Sequence, residues 1–295
     1  MSKVEHDLYF ESVEQRNVQY NARGSVSDFD ACVREYAELS CAAKAACVGI
    51  YDLKYGLAAA ERLDLFPVST VNQPAPLFIF IHGGYWRSQT KEDAALMAKV
   101  FTDAGIAVAT VEYTLLPHAT LAEVVREIRS AVAWLYRNVV KFGVNPSQFY
   151  VGGSSAGGHL VGMLLASQWQ EEFDVPPNLI KGAVALSGLF DIEPLCDIGP
   201  NEWLRLEPYQ AKALSPIHLI PESAPPLILS VGGLETDGFK RQTQAYEAAW
   251  KDKGHAVLTV AAPERNHFNL LSELSRPEQP LTQAIIKLIQ ETSRD

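Results

Sequence analysis

The sequence predicts an α/β protein: a mostly parallel central sheet with helices on both faces and a small cap or lid. Three observations predict it. From residue 62 onward, short apolar runs alternate with segments of helical periodicity almost to the end of the chain. Several of the runs are continuously apolar, as strands buried on both faces are. The segments between them are long enough for the crossover helices that parallel strands require. At 295 residues, 47% apolar and 20% charged, the composition is that of an ordinary globular protein.

Residues 28–50 place Phe29, Cys32, Val33, Tyr36, Leu39, Ala43, Ala46, Cys47 and Ile50 three and four apart. That is a helical stripe, with Ser27 or Asp28 as N-cap. Residues 1–60 are accordingly assigned to an N-terminal helical segment, and 61–295 to the main α/β domain. Residues 62–68 alternate as a strand does, and 77–81 (LFIFI) form a buried one. A helix over 91–104 stops at Gly105, followed by a strand at 106–111. A long amphipathic helix over 121–142 stops at Gly143. A strand at 148–151 leads into a small-residue helix at 156–168. Strands follow at 182–186, 227–231 and 257–260, with helices at 239–253 and 281–292. Residues 188–226 break the alternation, being rich in proline with Phe190, Trp203 and Tyr209 interspersed, and read as a lid-like insertion.

Net charge is −10, from 25 Lys and Arg against 35 Asp and Glu, with no basic stripe. This excludes nucleic acid and anionic membranes as main partners. No apolar run reaches the length of a membrane span, and no signal-peptide pattern follows Met1. The four cysteines form neither a disulfide framework nor a metal-ligand spacing, so a cytoplasmic protein with reduced thiols is expected.

In such sheets chemistry sits in loops that follow the C-terminal ends of strands. GxSxG occurs in one register, Gly153-x-Ser155-x-Gly157, between a strand and a helix. That context marks a nucleophile on a sharp turn, with small residues around it to let strand and helix approach. The turn aims the Ala156 N–H and a helix N-terminus at the reacting centre. After the strand 77–81 comes His82-Gly83-Gly84-Tyr85-Trp86, whose Gly83 and Gly84 amides suit an oxyanion hole together with Ala156. His82 reads as a brace for this loop, and Tyr85 and Trp86 as candidates for the pocket mouth. In a chain order of Ser, acid, His, His267 follows the strand 257–260, while His255 precedes it. The acid comes from the loop after 227–231: Glu235 is the first choice and Asp237 the alternative. No metal or organic cofactor is called for.

Together these pieces resemble the α/β-hydrolase fold. HGGYW at 82–86 with GxSxGG at 153–158 is similar to the kynurenine formamidase (arylformamidase) branch, close to the hormone-sensitive-lipase-like esterases. Gln19-Tyr20-Asn21, ERLDLF at 61–66 and FKRQ at 239–242 add to the resemblance. It implies Ser155 as nucleophile and His267 as base. The acid falls at Glu235, where the family usually has Asp, and the extra methylene of Glu requires a shifted backbone there. It also implies that the 1–60 segment contributes to a cap over the pocket, with walls at Tyr20, Phe190 and Trp203. The implied activity is a serine hydrolase working through an acyl-enzyme, hydrolysing N-formyl-L-kynurenine to kynurenine and formate in tryptophan catabolism. The alternative is a carboxylesterase for small or aryl esters. A small-molecule substrate and a homodimer are the expected partners.

Overall fold

The computed structural model describes residues 8–10, 12–69 and 73–293. Residues 1–7 and 11 of the 1–60 segment, and 70–72 and 294–295 of the 61–295 domain, lie outside the described residues. The strands are β1 (Ile50–Lys54), β2 (Arg62–Phe66), β3 (Ala75–Ile81), β4 (Ala107–Val111), β5 (Val144–Ser154), β6 (Ile180–Leu186), β7 (Leu227–Ser230) and β8 (Val257–Thr259). They form one sheet in the order β1-β2-β4-β3-β5-β6-β7-β8. The pairs β1–β2 and β2–β4 are antiparallel and all others parallel. The central strand β3 is almost entirely buried, which is why LFIFI carries no polar residue.

The helices are α1 (Val13–Gln19), α2 (Phe29–Ala46), α3 (Ala98–Asp103), α4 (Leu121–Asn138), α5 (Ala156–Leu165), α6 (Trp169–Glu172), α7 (Asn201–Leu204), α8 (Pro208–Ala213), α9 (Asp237–Asp252), α10 (Asn269–Ser272) and α11 (Pro280–Thr292). Asp28 caps α2 by accepting the Ala31 N–H, and a Thr120–Glu123 capping box opens α4. Helix α5 packs against β3, β5 and β6, α11 against β6, and α9 against β7 and β8.

Two elements differ from the sequence expectation. The stripe of α2 ends at Ala46, and Ile50 instead begins β1, so the sheet takes up chain from the segment assigned to the cap. A register shift between Ile50 and Leu53, with Asp52 at φ 54°, breaks the alternation that would have revealed this strand. Of the expected helix 91–104, only Ala98–Asp103 is α-helical. Ala94, Ala95, Leu96 and Met97 are consecutive buried residues, which one helix face cannot supply. Lys91 anchors the segment instead, its Nζ held by Asp64 of β2 at 2.8 Å. The 188–226 excursion contains α7, α8 and single 3-10 turns.

Candidate active site

Ser155 lies between the last residue of β5 and the first of α5, with φ 57° and ψ −117°. A side-chain-bearing residue in this region is strained by about 1–3 kcal/mol. Two hydrogen bonds hold it there: its N–H donates to Leu186 O at 2.8 Å, and its carbonyl accepts the His159 N–H at 3.1 Å. The motif glycines are steric necessities. A Cβ on Gly157 would stand 2.1 Å from Ile81 O, and one on Gly153 would stand 2.4 Å from Gly157 O.

The loop after β3 passes directly over the serine, close enough that a Cβ on Gly83 would stand 3.2 Å from Ser155 Cβ. Gly84, Tyr85 and Trp86 are successive left-handed residues, with φ of 89°, 51° and 58°. The Gly83 and Gly84 N–H groups have no acceptor among the described residues, and Ala156, as the first residue of α5, has none within its helix. His82 braces this loop. Its ring stacks on Tyr113 at 4.2 Å and bonds to Glu112 Oε1 at 2.9 Å and Gly83 O at 3.0 Å. Burial alone would raise the Glu112 carboxyl, but hydrogen bonds from His82 and from the Lys91 and Tyr113 N–H groups hold it below its ordinary range.

The structure brings Glu235 and His267 together, with Glu235 Oε2 and His267 Nδ1 2.6 Å apart. The other carboxylate oxygen, Oε1, accepts the Ser187 hydroxyl and the Gly232 N–H, each at 2.6 Å. Three donors thus converge on a buried carboxylate, which leaves His267 Nδ1 protonated and Nε2 as the ring's acceptor. Asp237 stands apart as the first residue of α9; its side chain is 63% exposed and pairs with Lys240 at 3.9 Å. The alternative acid therefore does not reach the imidazole. Ser155 and His267 line one cavity of about 670 Å³.

Of the expected wall residues, Tyr20, Tyr85 and Trp203 line this cavity. Hydrogen bonds tie them together: Tyr85 Oη–H donates to Tyr20 O at 2.5 Å, and Trp203 Nε1–H donates to Tyr85 O at 3.0 Å. Trp86 and Phe190 are not wall residues. The backbone turn at 86 buries that indole, edge-on to His159 at 5.0 Å. Phe190 stacks on Tyr246 at 4.0 Å in the core, its N–H held by Gln242 Oε1. Sequence reasoning missed Phe29, Tyr36 and Phe268, which also line the cavity, together with Arg23 and Arg87. Each arginine lies over an aromatic ring, Phe29 at 4.6 Å and Trp203 at 4.2 Å. Neither is ion-paired among the described residues.

Asp191, Glu193 and His218 can bring ligand atoms within 4.8 Å of one another. They lie outside the cavity, and His218 already pairs with Glu193 at 3.2 Å.

One turn after Ser155, His159 is fully buried. Its Nε2–H donates to Leu214 O at 2.8 Å, while Nδ1 has no partner among the described residues. Burial pushes its pKa from 6.5 down to about 4, against the raising effect of the Leu214 carbonyl. The unfolded chain therefore takes up a proton that the folded chain refuses. Stability is full above pH 6.5 and falls by about 3 kcal/mol as pH drops towards 4, then levels off for this group. Urea melts at pH 7 and 4.5 should show a smaller loss for His159→Gln than for the wild type. Equal losses would remove His159 as the cause.

A family model described as BD-FAE matches residues 63–246. Kynurenine formamidase from Salmo salar is 30% identical over 246 residues, covering 81% of this chain and 82% of that protein. Its counterpart from Danio rerio is 29% identical over 245 residues, with the same coverage. Among solved structures, a candidate thioesterase from Silicibacter sp. tm1040 superposes with TM-score 0.79 at 25% identity, covering 93% of this chain and 98% of that one. Esterase B from Lactobacillus rhamnosis shares the fold, with TM-score 0.72 at 19% identity over 93% and 96% of the two chains. Among the described residues no helix is long and apolar enough to cross a membrane. An eight-stranded α/β-hydrolase sheet and relatives matched over four-fifths of their length lead to one assignment: the chain belongs to the BD-FAE family and is a hydrolase of the α/β-hydrolase type.

Proposed function

We propose that the protein is an arylformamidase in which Ser155 is the nucleophile, His267 the base and Glu235 the acid. The observation that carries this reading is the wall of the cavity above Ser155. Tyr20, Phe29, Tyr36, Tyr85, Trp203 and Phe268 surround it with aromatic surface, and Arg23 and Arg87 stand at it with no carboxylate partner among the described residues. That combination fits an aryl amide carrying a carboxylate, as N-formyl-L-kynurenine does, and agrees with the names of the relatives.

In the reaction His267 Nε2 takes the Ser155 proton as Oγ attacks the formyl carbon, and Glu235 holds the imidazolium that forms. The Gly83, Gly84 and Ala156 amides bind the oxyanion, each such donor contributing about 3–4 kcal/mol. The aryl amine leaves with the proton from His267, and water then releases formate by the same steps. Four free thiols, Cys32, Cys41, Cys47 and Cys196, support a reducing, cytoplasmic setting.

The test compares kcat/KM for N-formyl-L-kynurenine and p-nitrophenyl acetate in the wild type and in Arg87→Ala. Arg87→Ala should raise KM for the carboxylate-bearing substrate about tenfold and leave the neutral ester unchanged. A wild-type preference for the ester by several orders of magnitude would instead favour a carboxylesterase, the reading that the esterase B likeness in fold keeps in play.

A further inference from the structure

We propose that Ser187 is a positioning residue of the active site, fixing the carboxylate of the acid, while its neighbour Leu186 holds the turn that bears the nucleophile. It does not touch the substrate: it is fully buried and does not line the cavity. Its place in the fold gives it this role. Ser187 follows the last residue of β6, between the strand that leads to Ser155 and the strand that leads to Glu235. Its neighbour Leu186 accepts the Ser155 N–H through its carbonyl at 2.8 Å. Ser187 itself donates its N–H to Ser230 O, at the end of β7, at 2.8 Å. Its hydroxyl donates to Glu235 Oε1 at 2.6 Å. Two consecutive residues thus tie the nucleophile's turn to the acid's carboxylate.

The backbone conformation supports this reading. Ser187 has φ 49°, the left-handed region that a residue with a side chain occupies only when its surroundings hold it there. Burial and the Ser230 hydrogen bond supply that hold. The strained backbone is matched by a hydroxyl placed to meet Oε1.

The chemistry follows from counting donors. A glutamate side chain has one more rotatable bond than aspartate, so its carboxylate needs external anchors to present one oxygen to a ring nitrogen. Ser187 Oγ–H and Gly232 N–H both bind Oε1, which leaves Oε2 to His267 Nδ1–H. Without the Ser187 hydroxyl, Oε1 keeps the Gly232 N–H as its one anchor among the described residues, and the carboxylate is held less firmly in the orientation that presents Oε2 to the ring. His267 then spends less time with Nδ1 bonded and Nε2 directed at the cavity.

This inference rests on the proposed acid and base, so the test separates the two. Turnover of p-nitrophenyl acetate is measured for the wild type, Ser187→Ala, Glu235→Gln and the double variant, with thermal melting of each. Alanine keeps the Cβ and hence the backbone strain, so only the hydroxyl is removed. Ser187→Ala should lower kcat about tenfold with KM within about twofold of the wild type. In the Glu235→Gln background the same substitution should change kcat by less than about twofold, because the contact it removes no longer orients a carboxylate. A merely structural role would multiply through both backgrounds alike, and that result, or a wild-type kcat in Ser187→Ala, overturns the inference. Ser187→Cys, similar in shape but a weaker donor, covers the case of an unfolded alanine variant. It should lose kcat by a smaller factor and show the same loss of effect beside Glu235→Gln; a wild-type kcat there also overturns the inference. If Glu235→Gln alone keeps wild-type turnover, it is the assignment of the acid that falls.

Discussion

Ser155→Ala should lower kcat by at least about 10⁴-fold while leaving the fold intact. The Ser155 hydroxyl makes no hydrogen bond to another described residue, so its removal costs the folded state little. Alanine still carries the Cβ that the turn at φ 57° accommodates. What remains is binding and the oxyanion donors, which by themselves give only a small residue of catalysis. Steady-state turnover with both formanilides and esters, together with labelling by a fluorophosphonate, measures the effect. A variant that keeps more than about one per cent of wild-type kcat would end the acyl-enzyme mechanism.

The second large effect is expected at Glu235, with Asp237 as its internal control. Glu235→Gln should cost about 10³- to 10⁴-fold in kcat, and Asp237→Asn less than about twofold. The reason is a mismatch of donors. Ser187 Oγ–H, Gly232 N–H and His267 Nδ1–H all point at the carboxylate. A carboxamide offers one oxygen where two are needed. If that oxygen stays with Ser187 and Gly232, its NH₂ faces the imidazole and forces the proton onto Nε2, where no base is left. Asp237, exposed and paired with Lys240, reaches none of these groups. A severe loss in Asp237→Asn with a mild one in Glu235→Gln would reverse the assignment.

The candidate site's positions at strand ends were legible because each is tied to a local signature. Gly153 and Gly157 announce the turn at Ser155 because no other residue fits there. His82 announces the loop before Gly83, and the loops after β7 and β8 hold Glu235 and His267. Long-range geometry was not legible. Ser187 is one serine among many until β6 is placed between β5 and β7. Phe29 and Tyr36 sit on a helical stripe that reads as core, yet they border the cavity. Trp86 reads as a mouth residue until its positive φ turns the ring inward. Strand β1 is hidden because a bulge at Asp52 destroys the alternation by which strands are recognised.

The N-terminal segment does more than shape the cavity. Tyr20 O receives Tyr85 Oη–H on the loop beside the oxyanion donors, Gln19 O receives Thr236 Oγ1–H next to the acid, and Tyr36 Oη–H bonds to Phe268 O next to the base. A ligand broad enough to lean on Tyr20 and Tyr36 therefore pulls on the loops that carry the proposed oxyanion donors, acid and base, whereas a short ester leaves those tethers slack. Contact energy gained far from the scissile bond becomes available for aligning it, so bulky aryl substrates should surpass small ones in turnover number as well as in affinity.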